Sequence, residues 1–321
     1  MNRRALLAAV PAAALLPVAA GAQAWPDAPI RAIVPFAPGS ATDTVARVVA
    51  EGMRPTLGQP VVVENRAGAN GLIGAEAVAR AAPDGNTVLI GTNSTNAAAN
   101  ALFRRVPFDM ENGFIPVSTI ATVPLLVAVK ADSPYRTLAD LIAAAKARPE
   151  GITFASASSS QRVATESLAA MAGIKMLHVP YRSSPLAVQD VLSGRVDLFI
   201  ADQAVILPQA QAGALRILAV TSGQRSGAVP EIPTVREAGS LPDYEVIAWF
   251  ALFVPAGTPA DRVARLNSAV VTSLGTAEVR QRLGTFGMDI RPSTPAEAVA
   301  FVRAETVKWT NAIRQAGIEP E

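Results

Sequence analysis

The segment from Phe36 to Asp43 is the first in the chain whose residue types and spacing could bind an anion. The apolar run 33–36 predicts a buried strand, and Gly39 predicts a tight turn after it. Ser40 and Asp43 are residue types that begin helices, and valines follow at helical spacing. The free N–H groups of a helix start carry about half a positive charge, so this turn could attract a carboxylate or phosphate. An ordinary strand-to-helix turn without a ligand is the alternative.

A second polar segment places hydroxyl and amide side chains just before another predicted helix. It comprises Ser156, Ser158, Ser159, Ser160 and Gln161, and it follows the predicted strand 152–155. If both segments face one cleft, their helix starts would suit a small organic anion without any catalytic group. A flexible serine loop with no ligand explains the same composition.

Three further positions are candidates because they follow predicted strands. Asn93 and Asn96 lie in a polar loop after the strand 88–90, and Asp202 follows the predicted strand 196–200. Ligands of open α/β sheets bind at the carboxyl ends of the strands, which is where these side chains are expected. Tyr181, like Asp202, is an alternative ligand contact from the second half of the chain.

Little of the chemistry of common enzymes is present. The chain has no cysteine, and His178 is its only histidine, within an apolar strand pattern. These facts exclude disulfides and thiolate sites and leave little for a transition metal. There is no G-x-S-x-G, G-x-G-x-x-G or P-loop motif, and the glycines at 68, 71 and 74 favour close helix packing over phosphate binding. We therefore expect no catalytic residue, metal or cofactor, although a hydrolase using serine and His178 is a rival interpretation.

Residues 1–24 have the pattern of an export signal. Two arginines precede an apolar stretch, and Ala-Gln-Ala at 22–24 is a typical cleavage site. We expect cleavage after Ala24 and a periplasmic mature chain that begins at Trp25. A retained membrane anchor is the alternative, and the export route, general or twin-arginine, is left open.

The mature chain has the composition of a balanced globular protein. Removal of residues 1–24 leaves 297 residues with 26 basic and 26 acidic side chains, and no run rich in lysine or arginine. This balance argues against a nucleic-acid partner. Hydrophobic residues make up 50% of the sequence, enough for a sizeable core.

Short apolar runs alternate with helical patterns, which predicts an α/β fold with parallel strands. Two long apolar strands, 125–129 and 246–254, are expected to cross between two halves as a hinge. The predicted organisation is lobe 1 at 25–124 plus 248–321 and lobe 2 at 125–247, with the ligand cleft between them.

Many short motifs resemble, in order, those of one known family. They include Val34-Pro35-Phe36-Ala37-Pro38-Gly39 with Thr42-Asp43, Val63-Glu64-Asn65-Arg66, Pro83-Asp84-Gly85, Val179-Pro180-Tyr181, Gly194-Arg195-Val196-Asp197 and Pro255-Ala256-Gly257-Thr258-Pro259. Over essentially the whole mature chain, the sequence resembles the solute-binding receptors of tripartite tricarboxylate transporters, the TctC-like or Bug-type proteins.

The resemblance implies a two-lobed type II periplasmic binding fold that holds a carboxylate between the first strand–helix loop and a loop of the second lobe. These loops correspond to residues 36–43, with Phe36 and Ala37 at their start, and to 156–161. The chain departs from the family's usual glycines at Ser40 and in its serine-rich second loop, so the ligand geometry is expected to differ.

We therefore expect a monomeric, exported receptor that captures a small organic anion and delivers it to the membrane subunits of such a transporter. Closure would occur because the ligand contacts both lobes only in the closed form. The alternative is a receptor that presents its ligand to a signalling partner, which the sequence does not distinguish from transport.

Overall fold

The computed structural model describes residues 25–321, so the expected export signal lies outside the described residues. The strands are β1 (Ile30–Val34), β2 (Val61–Asn65), β3 (Thr87–Thr92), β4 (Phe114–Lys130), β5 (Thr153–Ser156), β6 (Leu177–Pro180), β7 (Leu198–Asp202), β8 (Leu215–Val220), β9 (Ile247–Pro255) and β10 (Asp289–Ile290). The helices are α1 (Ala41–Leu57), α2 (Leu72–Ala79), α3 (Asn93–Asn96), α4 (Ala99–Leu102), α5 (Leu138–Ala147), α6 (Ser159–Ala172), α7 (Ser184–Leu192), α8 (Gln203–Gln211), α9 (Val235–Gly239), α10 (Ala260–Gly275), α11 (Ala277–Gly284) and α12 (Pro295–Gln315). The short segment Ala69–Gly71 is a 3-10 helix before α2.

The first half of β4 belongs to one group of strands and its second half to another. In the first group the order is β2-β1-β3-β9-β4, with β1 parallel to both its neighbours and β9 antiparallel to β3 and β4. In the second group, residues 125–130 of β4 pair with β7 and β8, and β7, β5 and β6 are parallel. This pairing supports the predicted division into lobes at 124/125 and 247/248, which stays a prediction.

Helix starts follow the carboxyl ends of strands in both groups. Helices α1 and α3 begin after β1 and β3, and α6 and α8 begin after β5 and β7. The buried strands are nearly continuous apolar runs, as expected for sheets covered on both faces. Polar N–H groups and side chains are therefore concentrated where the two groups of strands meet.

Several strand boundaries differ from those expected, most clearly those of β1 and β7. Strand β1 is Ile30–Val34 and not 33–36, because Pro35 has no N–H to continue the ladder and β1 pairs with β2 from its first residue. Strand β7 is Leu198–Asp202 and not 196–200, so the expected loop residue Asp202 ends a strand. In both cases pairing with neighbouring strands, which is not local information, sets the boundary.

The longest strand, β4, was predicted only from its second half. Ser118 and Thr119 interrupt the apolar pattern of the first half, yet both are buried because they bond to a distant segment. The Thr119 N–H donates to Ser293 Oγ at 3.0 Å, and the Ser293 N–H donates to Ser118 Oγ at 3.1 Å. Within residues 25–321, no helix is both long and apolar enough to span a membrane.

Candidate functional site

The first loop is arranged around the start of α1. Ser40 is the N-cap, and its hydroxyl accepts from the Asp43 N–H at 3.2 Å. The Asp43 carboxylate turns back and accepts from the Gly39 N–H at 3.1 Å, from Arg47 Nε at 3.1 Å and from Asn65 Nδ2 at 2.9 Å. Burial by itself would raise the pKa of Asp43, but these hydrogen bonds outweigh it and hold the pKa below its usual range. Asp43 therefore stabilises the loop through these hydrogen bonds and is not itself the N-cap of α1.

The same hydrogen-bond network holds the backbone of Phe36 in place. Asn65 Nδ2 also donates to the Phe36 carbonyl at 3.0 Å, which joins the end of β2 to the first loop. Gly74 packs directly on this loop, since a Cβ at residue 74 would lie 2.7 Å from Pro35 Cα. The glycine at 74 thus serves close helix packing, the favoured interpretation of that glycine pattern.

The serine-rich loop is held by its own side chains at the start of α6. Ser158 is the N-cap, with its Oγ 3.5 Å from the Gln161 N–H and 3.1 Å from Ser160 Oγ. The Gln161 Oε1 accepts from the Ala157 N–H at 2.7 Å, and its Nε2 donates to Ser184 Oγ at 3.0 Å. The serines and Gln161 are buried, so the loop presents a fixed set of donors.

The two groups of strands meet at a small void between these helix starts. The Ser160 N–H donates across the boundary to Ser94 Oγ at 3.3 Å. The void has a volume of about 20 Å³, room for about one water. Its lining residues are Phe36, Ser40, Ala41, Thr42, Thr92, Asn93, Ser94, Ser158, Ser160, Gln161, Ser184, Asp202, Ala248 and Phe250.

One side chain of the void has an unused donor. The Asn93 Oδ1 accepts from the Trp249 N–H at 3.3 Å, but its buried Nδ2 has no partner among residues 25–321. A buried donor without an acceptor costs free energy, and a ligand carboxylate would remove that cost. The start of α1, the start of α6 and this amide thus form a donor set suited to an anion.

Asp202 introduces a carboxyl group into the same void. It is buried, and burial raises its pKa to about 6, against the opposing hydrogen bonds from its own N–H and from Gln161. At neutral pH this group is mostly ionised, but an anion beside it would raise the pKa further, and the protonated form can donate a hydrogen bond to that anion.

A larger cleft of about 770 Å³ adjoins the void, and Phe36 and Ser158 line both. Ser156 Oγ lies 2.7 Å from His178 Nε2 in this cleft, and His178 stacks on Phe154. Burial, followed by the charge of Arg162, lowers the pKa of His178, so the ring is uncharged at neutral pH. Ser156 and His178 are therefore within hydrogen-bond distance. Within residues 25–321, no three His, Asp or Glu side chains are close enough together to hold a metal ion.

Tyr181 lines the cleft next to Ser156, whose carbonyl accepts from the Tyr181 N–H at 2.7 Å. Its hydroxyl donates to Asp190 Oδ2 at 2.7 Å, and burial together with that carboxylate raises the pKa of Tyr181 to about 12. The phenol is therefore neutral and already partnered.

The structure brings most of the expected site residues together. Those that line the void or the cleft are Phe36, Ala37, Ser40, Asn93, Ser156, Ser158, Ser159, Ser160, Gln161, Tyr181 and Asp202. Gly39 and Asp43 stand behind the first loop, and Gly39 faces Pro185 of α7. Asn96 lines neither of them; it is buried at the end of α3 and borders a separate hollow beside α12.

Sequence reasoning missed several lining residues. Thr42 lies in the candidate segment 36–43, and Thr92 is the last residue of β3. The local sequence could therefore have indicated both as lining residues. Arg162 and Glu321 also line the cleft, and nothing near residue 321 in the sequence indicated that it would reach α6.

Comparison with known proteins identifies the family to which these loops belong. The family model for the tripartite tricarboxylate transporter family receptor matches residues 45–318. The chain belongs to this receptor family. The family expected from the motifs is thereby confirmed, and its members are solute-binding proteins, not enzymes.

Solved structures of the same kind confirm the two-lobed α/β fold. The periplasmic binding protein BugD is 31% identical, with a TM-score of 0.88, and the match covers 92% of this chain and 100% of BugD. Rpa4515 from Rhodopseudomonas palustris, solved with adipate, is 34% identical, with a TM-score of 0.89 and coverage of 92% and 100%. MatC from the same organism, solved with bound malate, is 32% identical, with a TM-score of 0.85 and coverage of 90% and 100%.

Proposed function

We propose that this protein is an exported receptor that binds a small carboxylate between its two lobes and delivers it to a tripartite tricarboxylate-type transporter. The observation that carries the proposal is the void between the starts of α1 and α6, which is lined by Asn93, whose Nδ2 has no partner among residues 25–321. The adipate and malate found in two similar receptors support the ligand class.

The proposed mechanism needs opening and closure of the lobes. A void of about 20 Å³ holds one water but not a carboxylate with its carbon chain, so the ligand must enter with the lobes apart. Donors from Ser40 and Thr42 on one side and Ser158 and Ser160 on the other then surround the ligand only when the lobes meet. The ligand stabilises the closed form because it binds that form more tightly.

Calorimetry of residues 25–321 with adipate, malate and related carboxylates tests ligand binding. Asn93→Asp keeps the side-chain volume and the acceptor for the Trp249 N–H but replaces the free donor with an oxygen that repels an anion. We expect this variant to bind at least about tenfold more weakly, the value of one hydrogen bond to a charged group. Asn311→Asp, exposed on α12, makes the same change in charge away from the site and should bind normally. Equal affinity of Asn93→Asp and the parent would remove Asn93 from the site.

Export and delivery need separate tests. N-terminal sequencing of the secreted protein should give Trp25 as the first residue, and a protein that keeps Met1 in the membrane would contradict cleavage after Ala24.

Gel filtration with light scattering should give a monomer. Transporter delivery predicts that uptake of the bound carboxylate by cells depends on both this receptor and the membrane subunits.

A further inference from the structure

At the outer end of the cleft, Arg162 of α6 forms an ion pair with Glu321, from the opposite side of the cleft. The backbone of Glu321 is fixed to its own side: its N–H donates to the Leu102 carbonyl at 2.9 Å, and its carbonyl accepts from the Arg104 N–H at 2.8 Å. The part of Glu321 that extends across to α6 is therefore its side chain and not its backbone. The chain itself places a carboxylate on the Arg162 guanidinium, which shows that this position can receive one.

The Arg162 guanidinium has donors left over. Its Nε is buried without a hydrogen-bond partner among residues 25–321, and Glu166 Oε1 lies 4.0 Å from it. An arginine offers five N–H groups and prefers a carboxylate that accepts two of them at once. Glu321 binds only through Nη1, so a second carboxylate could bind this arginine better than the present partner does.

Arg162 is also within reach of a ligand held at the void. The Arg162 N–H donates to the Ser158 carbonyl at 3.2 Å, so Arg162 lies one helical turn, about 5.4 Å, further along α6. Arg162 and Ser158 line the same cleft, and Ser158 also lines the void. This arrangement leaves room for a short aliphatic chain between two anionic groups.

The other basic groups of the cleft are less suited to this role. His178 is uncharged at neutral pH because burial lowers its pKa. Arg182 lines the cleft but is exposed to solvent, where an ion pair contributes little. The side chain of Arg162 is only 20% exposed, so a contact with it is screened less.

We propose that Arg162 selects ligands with a second anionic group at the outer end of the cleft, and that the Glu321 carboxylate competes with that group for the same guanidinium. The proposal rests on the proposed function, since it assumes that the first carboxylate binds at the void. It adds the residue that separates diacids from monoacids and an internal competitor that sets the strength of that preference.

The test compares diacids with their monoamides, which have nearly the same shape and lack one charge. The probes are succinate, glutarate and adipate, each paired with its monoamide, in calorimetry on residues 25–321. The parent protein should bind at least one diacid about tenfold more tightly than its monoamide, the lower value for a hydrogen bond to a charged group. Arg162→Gln should remove that preference without weakening the monoamide, and Arg162→Lys should keep part of it.

Removal of the competitor should act in the opposite direction. Glu321→Gln should strengthen diacid binding by about 1.5- to 5-fold, the value of a partly exposed ion pair, and leave the monoamides unchanged. Arg225→Gln and Glu51→Gln remove one partner of surface ion pairs elsewhere and serve as matched controls for the charge changes. Both should bind like the parent.

The outcomes separate the two proposals. A parent protein that binds none of the six compounds would contradict both the proposed function and this inference. Binding of diacids and monoamides with equal affinity, or a preference that survives Arg162→Gln, would overturn only the role of Arg162. A preference lost in Arg182→Gln and kept in Arg162→Gln would assign that role to Arg182 instead.

Discussion

The Thr221 hydroxyl accepts a hydrogen bond from the Leu125 N–H at 2.7 Å and donates one to the Val246 carbonyl at 2.6 Å. Backbone bonds join the same three residues: the Thr221 N–H donates to the Leu125 carbonyl, and the Val246 N–H to the Thr221 carbonyl, both at 3.0 Å. Leu125 and Val246 lie on the two segments that are expected to cross between the lobes. One fully buried side chain therefore links both crossing segments.

This link predicts a stability effect of Thr221→Val, which keeps the shape and removes the hydroxyl. The buried Leu125 N–H would lose its acceptor, at a cost of about 1–3 kcal/mol in the free energy of unfolding by urea. Thr306→Val is the matched control, because Thr306 only bonds to the Val302 carbonyl within α12. If the two variants are equally stable, Thr221 does not carry the link between the segments.

A second prediction concerns Asp202 and the pH dependence of stability. Its pKa is about 6 in the folded protein and 3.8 as an unperturbed group. Between these values the folded protein binds a proton that the unfolded chain has lost, so the Asp202 contribution makes stability fall as pH rises. Asp202→Asn should be more stable than the parent at pH 8 by up to about 3 kcal/mol, and the gain should vanish near pH 4.

The same carboxyl group predicts proton uptake on ligand binding. An anion next to Asp202 favours its neutral form, so binding near pH 7 should take up a proton, and the affinity should weaken from pH 6 to pH 8. Calorimetry in buffers of different ionisation enthalpy measures this uptake, which Asp202→Asn should abolish. Tighter binding at pH 8 in the parent would mean that Asp202 acts as a charged acceptor for a ligand N–H or hydroxyl.

The hydrogen bonds of Asp43 predict that its removal lowers the free energy of unfolding by more than removal of a simple N-cap would. Asp43→Ala should lower the free energy of unfolding by about 2–3 kcal/mol at pH 7, because the Gly39 N–H and Asn65 Nδ2 both lose a charged acceptor. Asp140→Ala in the exposed capping box of α5 is the control and should lower the stability less than Asp43→Ala does.

The pKa of Asp43 sets the direction of the pH effect. Because this pKa is below 3.8 in the folded protein, the stabilising effect of the carboxylate is present above that pH and is lost as pH falls through the lower value. The difference between Asp43→Ala and the parent should therefore shrink in acid. A constant difference from pH 7 to pH 2 would contradict the hydrogen-bonded carboxylate.

Local chemistry was enough to predict the parts of the site made by one segment. Ser40 and Ser158 have the residue type and position of N-caps, and both cap helices as such patterns suggest. The apolar strands and the helix starts at their carboxyl ends were equally visible, because burial and capping leave a short-range signal. The resemblance of many ordered motifs supplied the two-lobed arrangement.

Contacts between distant segments account for what the sequence did not indicate. Ser118 and Thr119 are polar and still belong to a buried strand, because their partners lie more than 170 residues away. Asn96 follows the same strand as Asn93 and is the same residue type, but Asn93 lines the void and Asn96 lines a separate hollow beside α12. Glu321 reaches the cleft only through its backbone bonds to residues near α4.

The last prediction separates binding from stability within the serine-rich loop. Ser159 is buried, lines the cleft, and has an Oγ without a partner among residues 25–321. Ser159→Ala therefore breaks no hydrogen bond of the protein, and its free energy of unfolding should match that of the parent within about 0.5 kcal/mol. If this hydroxyl donates to the ligand, the same change should weaken binding by about tenfold or more.

Ser158→Ala provides the contrast, because Ser158 caps α6 and contacts Ser160. Its loss should lower the free energy of unfolding by about 1 kcal/mol whether or not a ligand binds there. Urea unfolding and calorimetry on both variants give two independent readouts for neighbouring serines. Normal affinity in Ser159→Ala would exclude its hydroxyl from the site and would leave Ser158, Ser160 and Asp202 as the candidate contacts from the second lobe.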